Sequence, residues 1–287
     1  MNSPSDALDK RLNAYRDDLA DARLKEQVSA ARFVDGTPRQ VIAPVAPLRR
    51  APEPGTQTSS ELLFGETVLL FEDRDGIAWV QNDTDGYVGY TDSVALSADV
   101  RRTTQRVKAI RTAIYPEPHV RAPAIDVLPM DARVAVTETK GRYAALATGG
   151  WVPADHLAGI TDFEDDFVAV AERFMGSPYV WGGRSDRGLD CSALVQLALA
   201  RCDIDSPRDS DMQEAALGET VAYDGDQTVL KRGDLVFWKG HVGIWVAAER
   251  FLHANATDMC VSASPFPAVV DHILKVEKQP VSSVRRL

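Results

Sequence analysis

PYVWGGRSDRGLDCSALVQLAL, residues 178–199, decides how the rest of the chain is read. Its first half carries Gly182, Gly183 and Gly188, and from Cys191 onward it becomes an apolar run at helical spacing. This change predicts a helix that starts at the cysteine itself. Unpaired N–H groups and the positive end of the dipole at such a start favour a thiolate, the form that attacks carbonyl carbon. The expectation is a Cys191 thiol more acidic than the value of about 8.5 for free cysteine. A cysteine can also be no more than a small buried hydrophobe, but the residues downstream argue otherwise. KGHVGIWV (239–246) opens a β-like run with His241, and FLHANA (251–256) puts His253 in the next apolar segment. Nucleophile, general base and a group that orients the base form the set needed for covalent acyl transfer.

Around this stretch, FEDDFVAVAERFMG (163–176) has apolar residues on one side and acids in its first turn, the pattern of a preceding helix. Short strands are expected around Leu235–Trp238, Val242–Val246 and Phe251–Ala254, with a late strand near His272–Glu277. Helices followed by an antiparallel sheet give an α+β domain over 160–287.

Upstream, two stretches look like one unit repeated, the first ending at Leu96 and the second at Leu157. Each has an alternating strand (Val68–Phe71, Val134–Val136), a charged turn and a second strand (Ile77–Gln81, Tyr143–Ala147). Each then closes on a glycine-aromatic pair, Gly89-Tyr90 or Gly150-Trp151. Short alternating strands at this spacing predict two small all-β barrels of the SH3-like kind, over 41–98 and 99–159. Leu8, Leu12, Tyr15, Leu19 and Leu24 lie at near-helical spacing among charges, so residues 6–30 are expected to form an amphipathic leading helix or a pair of turns, within a helical N-terminal segment over 1–40.

At 287 residues the chain can form two or three domains. A net charge of −10 and a pI near 5.0 argue against an electrostatic grip on nucleic acid or anionic lipid. The first 27 residues hold no apolar run able to act as a signal-peptide core. No stretch approaches the roughly 20 apolar residues of a membrane span. Three cysteines, Cys191, Cys202 and Cys260, are too few and odd in number for a disulfide framework. Together these features predict a cytoplasmic protein with no membrane or nucleic-acid partner; no oligomeric state is assigned.

The strings PYVWGG, DCSALVQ, PRDSDMQ, RGDLVFW, HVGIWV and FLHANA occur in the order and at the spacing of the NlpC-type cell-wall cysteine peptidases, which have a papain-like domain. The chain resembles that family over about 160–278. With two SH3-like barrels in front, it resembles the subgroup that cleaves γ-D-glutamyl bonds to a diamino acid in peptidoglycan stem peptides. The resemblance implies Cys191 as nucleophile, His241 as base, His253 as the residue orienting it, and Tyr179 as an oxyanion donor beside the Cys191 N–H. It also implies that Asp209 and Ser210 bind the free N-terminal L-alanine of the substrate and that Ser192 bonds its D-glutamate. Tyr87 and an acid of the first barrel, Glu61 or else Glu66, would close the far end of the groove. No cofactor or metal is implied. Asp209 could equally be a helix N-cap, His253 a core histidine, and Cys191, His241 and His253 metal ligands. The sequence departs from the family at Ala193, where glycine commonly follows the cysteine-serine pair. The expected function is endopeptidase action on released wall peptides, in recycling. The rivals are an amidase or acyltransferase on the same core, or a non-catalytic wall-fragment binder. The Arg232-Gly233-Asp234 triplet reads as a turn into the following strand.

Overall fold

The computed structural model describes residues 8–247 and 249–287, and the chain divides into two compact units, one ending at Ile160 and the other spanning Thr161–Leu287. In the first unit, seven antiparallel strands form one sheet in the order Thr58–Leu63, Val45–Arg49, Val88–Asp92, Ile77–Asn82, Thr67–Arg74, Thr37–Val41, Leu96–Ser97. Alternate residues turn inward, so Val41, Leu48, Leu62, Val68 and Val80 are fully buried. Asp75 and Gly76 both have positive φ between Arg74 and Ile77, the two-residue turn that matches the twist of a hairpin. Gly89 of the first glycine-aromatic pair is required by close approach: a Cβ there would stand 2.7 Å from Leu48 Cγ and 2.8 Å from the Arg49 carbonyl.

The segment 105–159 is also built of short strands, but they divide among three small sheets and do not form one continuous sheet. Val107, Leu128, Val134 and Val152 make its core, and Phe64 of the preceding segment packs into it. Gly150, the second glycine of the repeat, has φ +83°, and a Cβ would lie 2.5 Å from Ile114. The proline-rich stretch between Ile114 and Asp126 links two strands, Arg111–Ile114 and Asp126–Pro129, that pair only with each other in a two-stranded sheet.

Residues 8–40 hold turns and one short 3-10 helix, Ala22–Leu24, the second of the two expected forms, and no α-helix; residues 1–7 of that span lie outside the described residues. The local reason is competition from side chains. Asp9 accepts the Arg11 N–H and Asn13 donates to the Asp9 carbonyl, which fixes turns in place of a helix. The apolar spacing serves the neighbouring sheet: Ala14 and Leu19 pack with Phe71 and Trp79, and the Arg11 carbonyl accepts the Val88 N–H. Arg16 lies over the Trp79 ring at 4.3 Å and bonds Glu72 and the Tyr90 hydroxyl. The sheet itself begins at Thr37, four residues before the expected barrel boundary.

The second unit holds four α-helices: α1 (Phe167–Glu172), α2 (Cys191–Ala200), α3 (Ser210–Ala216) and α4 (Phe266–Glu277). Its sheet has six antiparallel strands: β1 (Glu219–Val221), β2 (Leu235–Trp238), β3 (His241–Ala247), β4 (Arg250–Asn255), β5 (Cys260–Ser264) and β6 (Ser283–Arg286). They lie in the order β1-β6-β2-β3-β4-β5. Every residue of α2 from Cys191 to Leu199 is buried, as expected of a helix apolar on all sides, and it packs on β3 and β4. The strand expected near His272–Glu277 is instead the end of α4. Phe266, Val269 and Ile273, spaced three and four apart, form a helical stripe against the sheet, and Pro267 sits in its first turn, where no N–H is needed.

Candidate active site

Asp190 caps α2, its Oδ1 accepting the Ala193 N–H at 2.9 Å, so Cys191 is the first helical residue, as the sequence predicts. Its own N–H belongs to the group that a helix start leaves without an intrahelical partner. The sulfur accepts the N–H of Val242, the residue after His241, which brings the start of β3 to the nucleophile. The expected acidic thiol is not what the surroundings produce. Burial pushes the Cys191 thiol up to about 12, and the Asp190 carboxylate next to it pushes the same way. The cap that stabilises α2 also places a negative charge at the end of the helix whose dipole was expected to help the thiolate. The Val242 N–H and the Arg208 guanidinium only partly oppose this.

His241 and His253 stand on adjacent strands, with His241 Nε2 2.9 Å from His253 Nδ1 and the rings edge to face. Trp238 and Phe251 pack against them. Burial lowers both imidazoles, His241 to about 3, where the neighbouring histidine adds to the effect, and His253 to about 4. Both are therefore neutral near pH 7. Because Nε2 of His241 faces His253, taking up the thiol proton falls to Nδ1. With both rings neutral, one of the two facing nitrogens carries a hydrogen and donates it to the other. A bond of this kind restricts the ring orientation and the tautomer of both imidazoles. Gly243 makes this possible, since a Cβ there would lie 2.4 Å from the Phe251 ring and 2.9 Å from His253 Cβ.

Tyr179 lies on the loop that bridges to Leu189, its N–H bonded to the Met259 carbonyl. Burial, followed by the nearby Cys191 and Asp190 charges, raises its phenol, so it stays a protonated donor within the field of the nucleophile. Ser192 is buried, and its hydroxyl donates to Asp190 Oδ1 at 3.2 Å while accepting from Arg208 at 3.0 Å. Asp209 and Ser210 are half-buried at the start of α3. Asp209 occupies the N-cap position, yet its side chain makes no capping bond to that helix. Tyr87, in the first unit, is buried in the core of the seven-stranded sheet, and Glu61 is half-buried on the strand Thr58–Leu63. Glu66 is fully buried and accepts the Leu63 N–H within its own turn.

Sequence reasoning missed three parts of this site. Arg208, fully buried, makes a two-pronged pair with Asp190 (2.9 and 2.8 Å) and donates to the Gly183 carbonyl at 3.2 Å. Asp190 also accepts the Gly182 N–H. Eighteen residues separate the two charges, and nothing in the spacing pairs them. The space kept by Gly243 is likewise visible only once β3 and β4 are in register. Among the described residues no group of three potential metal ligands converges.

Comparison with known proteins places these elements. Residues 176–274 match the NlpC/P60 family, and residues 48–96 match the bacterial dipeptidyl-peptidase Sh3 domain. Dipeptidyl-peptidase 6 of Lysinibacillus sphaericus is 26% identical over 239 residues, covering 75% of this chain and 86% of the relative. The γ-D-glutamyl-L-lysine dipeptidyl-peptidase of Bacillus subtilis (strain 168) is 28% identical over 225 residues, covering 69% and 72%. In fold, the chain resembles the crystal structure of an NlpC/P60 family protein from Bacillus cereus ATCC 10987. The TM-score is 0.72 at 18% identity, covering 87% of this chain and 99% of that one.

Proposed function

We propose that this chain, an NlpC/P60 cysteine peptidase domain preceded by a bacterial SH3 domain, hydrolyses the γ-D-glutamyl bond to lysine or diaminopimelate in stem peptides with a free N-terminal L-alanine. Two of its relatives carry dipeptidyl-peptidase names, one of them for the γ-D-glutamyl-L-lysine bond. The observation that carries the reading is the meeting of Cys191, at the start of α2, with the strand of His241, whose Val242 N–H reaches the sulfur and whose imidazole is bonded to that of His253; Asp209, at the start of α3, is the carboxylate proposed for the ammonium group. An ammonium taken from water needs a carboxylate partner.

In the proposed reaction Cys191 gives its proton to His241 Nδ1 as its sulfur attacks the γ-carbonyl carbon. Charge on the carbonyl oxygen is met by the Cys191 N–H at the start of α2 and by the Tyr179 hydroxyl. Collapse breaks the C–N bond, and His241 returns the proton to the leaving amine, which departs with the diamino acid. Water, deprotonated by the same imidazole, then cleaves the thioester and releases the L-alanyl-D-glutamate dipeptide. The second β segment is read as a further SH3-like barrel, on the strength of its glycine-aromatic closure. Recycling of released wall peptides in the cytoplasm completes the proposal. The test is mass spectrometry of the products from L-Ala-γ-D-Glu-L-Lys and its diaminopimelate counterpart. Release of L-Ala-D-Glu supports the reading, while cleavage at another bond, acyl transfer without hydrolysis, or no turnover overturns it.

A further inference from the structure

The Asp190–Arg208 pair is the most deeply buried ion pair of the second unit, with the guanidinium side chain fully inaccessible. Its position matters more than its burial. Asp190 is the N-cap of α2, immediately before the nucleophile, and Arg208 immediately precedes Asp209 and α3. Two parallel N–H···O bonds fix distance and orientation together. The same guanidinium holds the Ser192 hydroxyl and the Gly183 carbonyl of the glycine-rich loop. Gln213 of α3 adds a second tie, donating to the Ser192 carbonyl at 2.9 Å.

We infer that Arg208 is a positioning residue, clamping the α2 start that carries Cys191 and Ser192 to the α3 start that carries Asp209 and Ser210, so that nucleophile and ammonium site move as one body. The part concerning Asp209 and Ser210 rests on the function proposed above; the part concerning Cys191 does not. A buried pair of this kind adds little net stability over an apolar substitute, which fits a role in geometry. Its two charges also act on the sulfur with opposite signs, Asp190 disfavouring the thiolate and Arg208 favouring it. Tyr179 also lies in the field of that sulfur, and the Val242 N–H beside His241 bonds to it; neither residue is altered by the variants below.

The test uses the whole chain and two readouts. The first is the rate of alkylation of Cys191 by iodoacetamide, followed on the Cys191 peptide by mass spectrometry so that Cys202 and Cys260 do not contribute. Arg208→Gln leaves Asp190 unpaired and should slow alkylation about tenfold, one unit of thiol pKa. Asp190→Asn leaves the cation alone and should speed it by a similar factor. Shifts of the same sign, or none, overturn the clamp at the nucleophile. Should Arg208→Gln not fold, Asp190→Asn alone decides: a faster rate supports the inference, and an unchanged or slower one overturns it. The second readout is turnover of L-Ala-γ-D-Glu-L-Lys by Arg208→Lys, which keeps the charge and loses the fork. With kcat normalised to titrated active sites, KM should rise and kcat fall, each about tenfold. Unchanged constants in folded enzyme overturn the clamp at the ammonium site. If the wild type does not turn over this peptide, the proposed function fails, while the alkylation readout still decides the clamp at Cys191.

Discussion

His241 and His253 are joined Nε2 to Nδ1 at 2.9 Å, one neutral imidazole acting on another. A carboxylate in the place of His253 would hold the base in a charged state at rest. A second imidazole orients it while leaving it uncharged, and both rings are depressed by burial. In the proposed reaction, thiolate and imidazolium therefore form together, as substrate is attacked.

Substitutions along the relay should separate these roles. Cys191→Ala removes the nucleophile and little volume, and should abolish hydrolysis with the melting temperature nearly unchanged. His241→Ala should lower kcat by several orders of magnitude. His253→Gln should be milder, about 10- to 100-fold, because the amide oxygen can still accept the Nε2 hydrogen. A His253→Gln variant as inactive as Cys191→Ala would mean that His253 does more than orient.

Stability should depend on pH through the same pair. Their folded values of about 3 and about 4 lie below the 6.5 or so of a free histidine, so the folded state binds fewer protons. The stabilisation is fully present above pH 6.5 and is lost as pH falls toward 4, each ring giving a slope of about 1.4 kcal/mol per pH unit. Urea midpoints at pH 7 and 4.8 should differ accordingly, and a His241→Gln/His253→Gln variant should lose most of the difference. Equal midpoints for the wild type would contradict the burial argument.

If Asp209 pairs with the substrate ammonium, an N-acetylated tripeptide brings a neutral group to a partly desolvated carboxylate. Free L-Ala-γ-D-Glu-L-Lys should be cleaved and the acetylated form cleaved at least about 100-fold more slowly. Asp209→Asn should act mainly on KM for the free peptide. Comparable rates on both peptides would remove Asp209 from ammonium recognition.

Gly243→Ala should damage activity beyond its cost in stability. The new methyl group must displace Phe251 or His253, and a shift of the second imidazole mis-aims the first. Titrated kcat should drop about tenfold or more, measured well below the melting temperature. A folded variant with wild-type kcat would show that Phe251 alone gives way.

The placement of Cys191 at a helix start, and of both histidines on neighbouring strands, was legible because periodicity changes at those residues. The acidity of the thiol was not. A dipole can be read from a helix boundary, but the burial that outweighs it, and the cap charge of Asp190, depend on α2 being enclosed on every side. The leading leucines left helix and turns both open, and the end of α4 misled, for a related reason. Apolar spacing states that a face is covered, and only the covering partner decides the conformation: Leu19 lies against Trp79 without a helix, whereas Ile273 reaches the sheet from one. The Asp190–Arg208 pair leaves no periodic trace at all.

Arg16 resting on Trp79 gives the first unit a built-in optical reporter. The stacked guanidinium and its bond to Glu72 tie residues 8–35 to the sheet by contacts, with no α-helix to hold them. Detachment of that strap would open one face of the indole to water and shift its emission to longer wavelength, without any chemistry at Cys191. Fluorescence from a chain whose other four tryptophans are replaced by phenylalanine would then follow the strap alone.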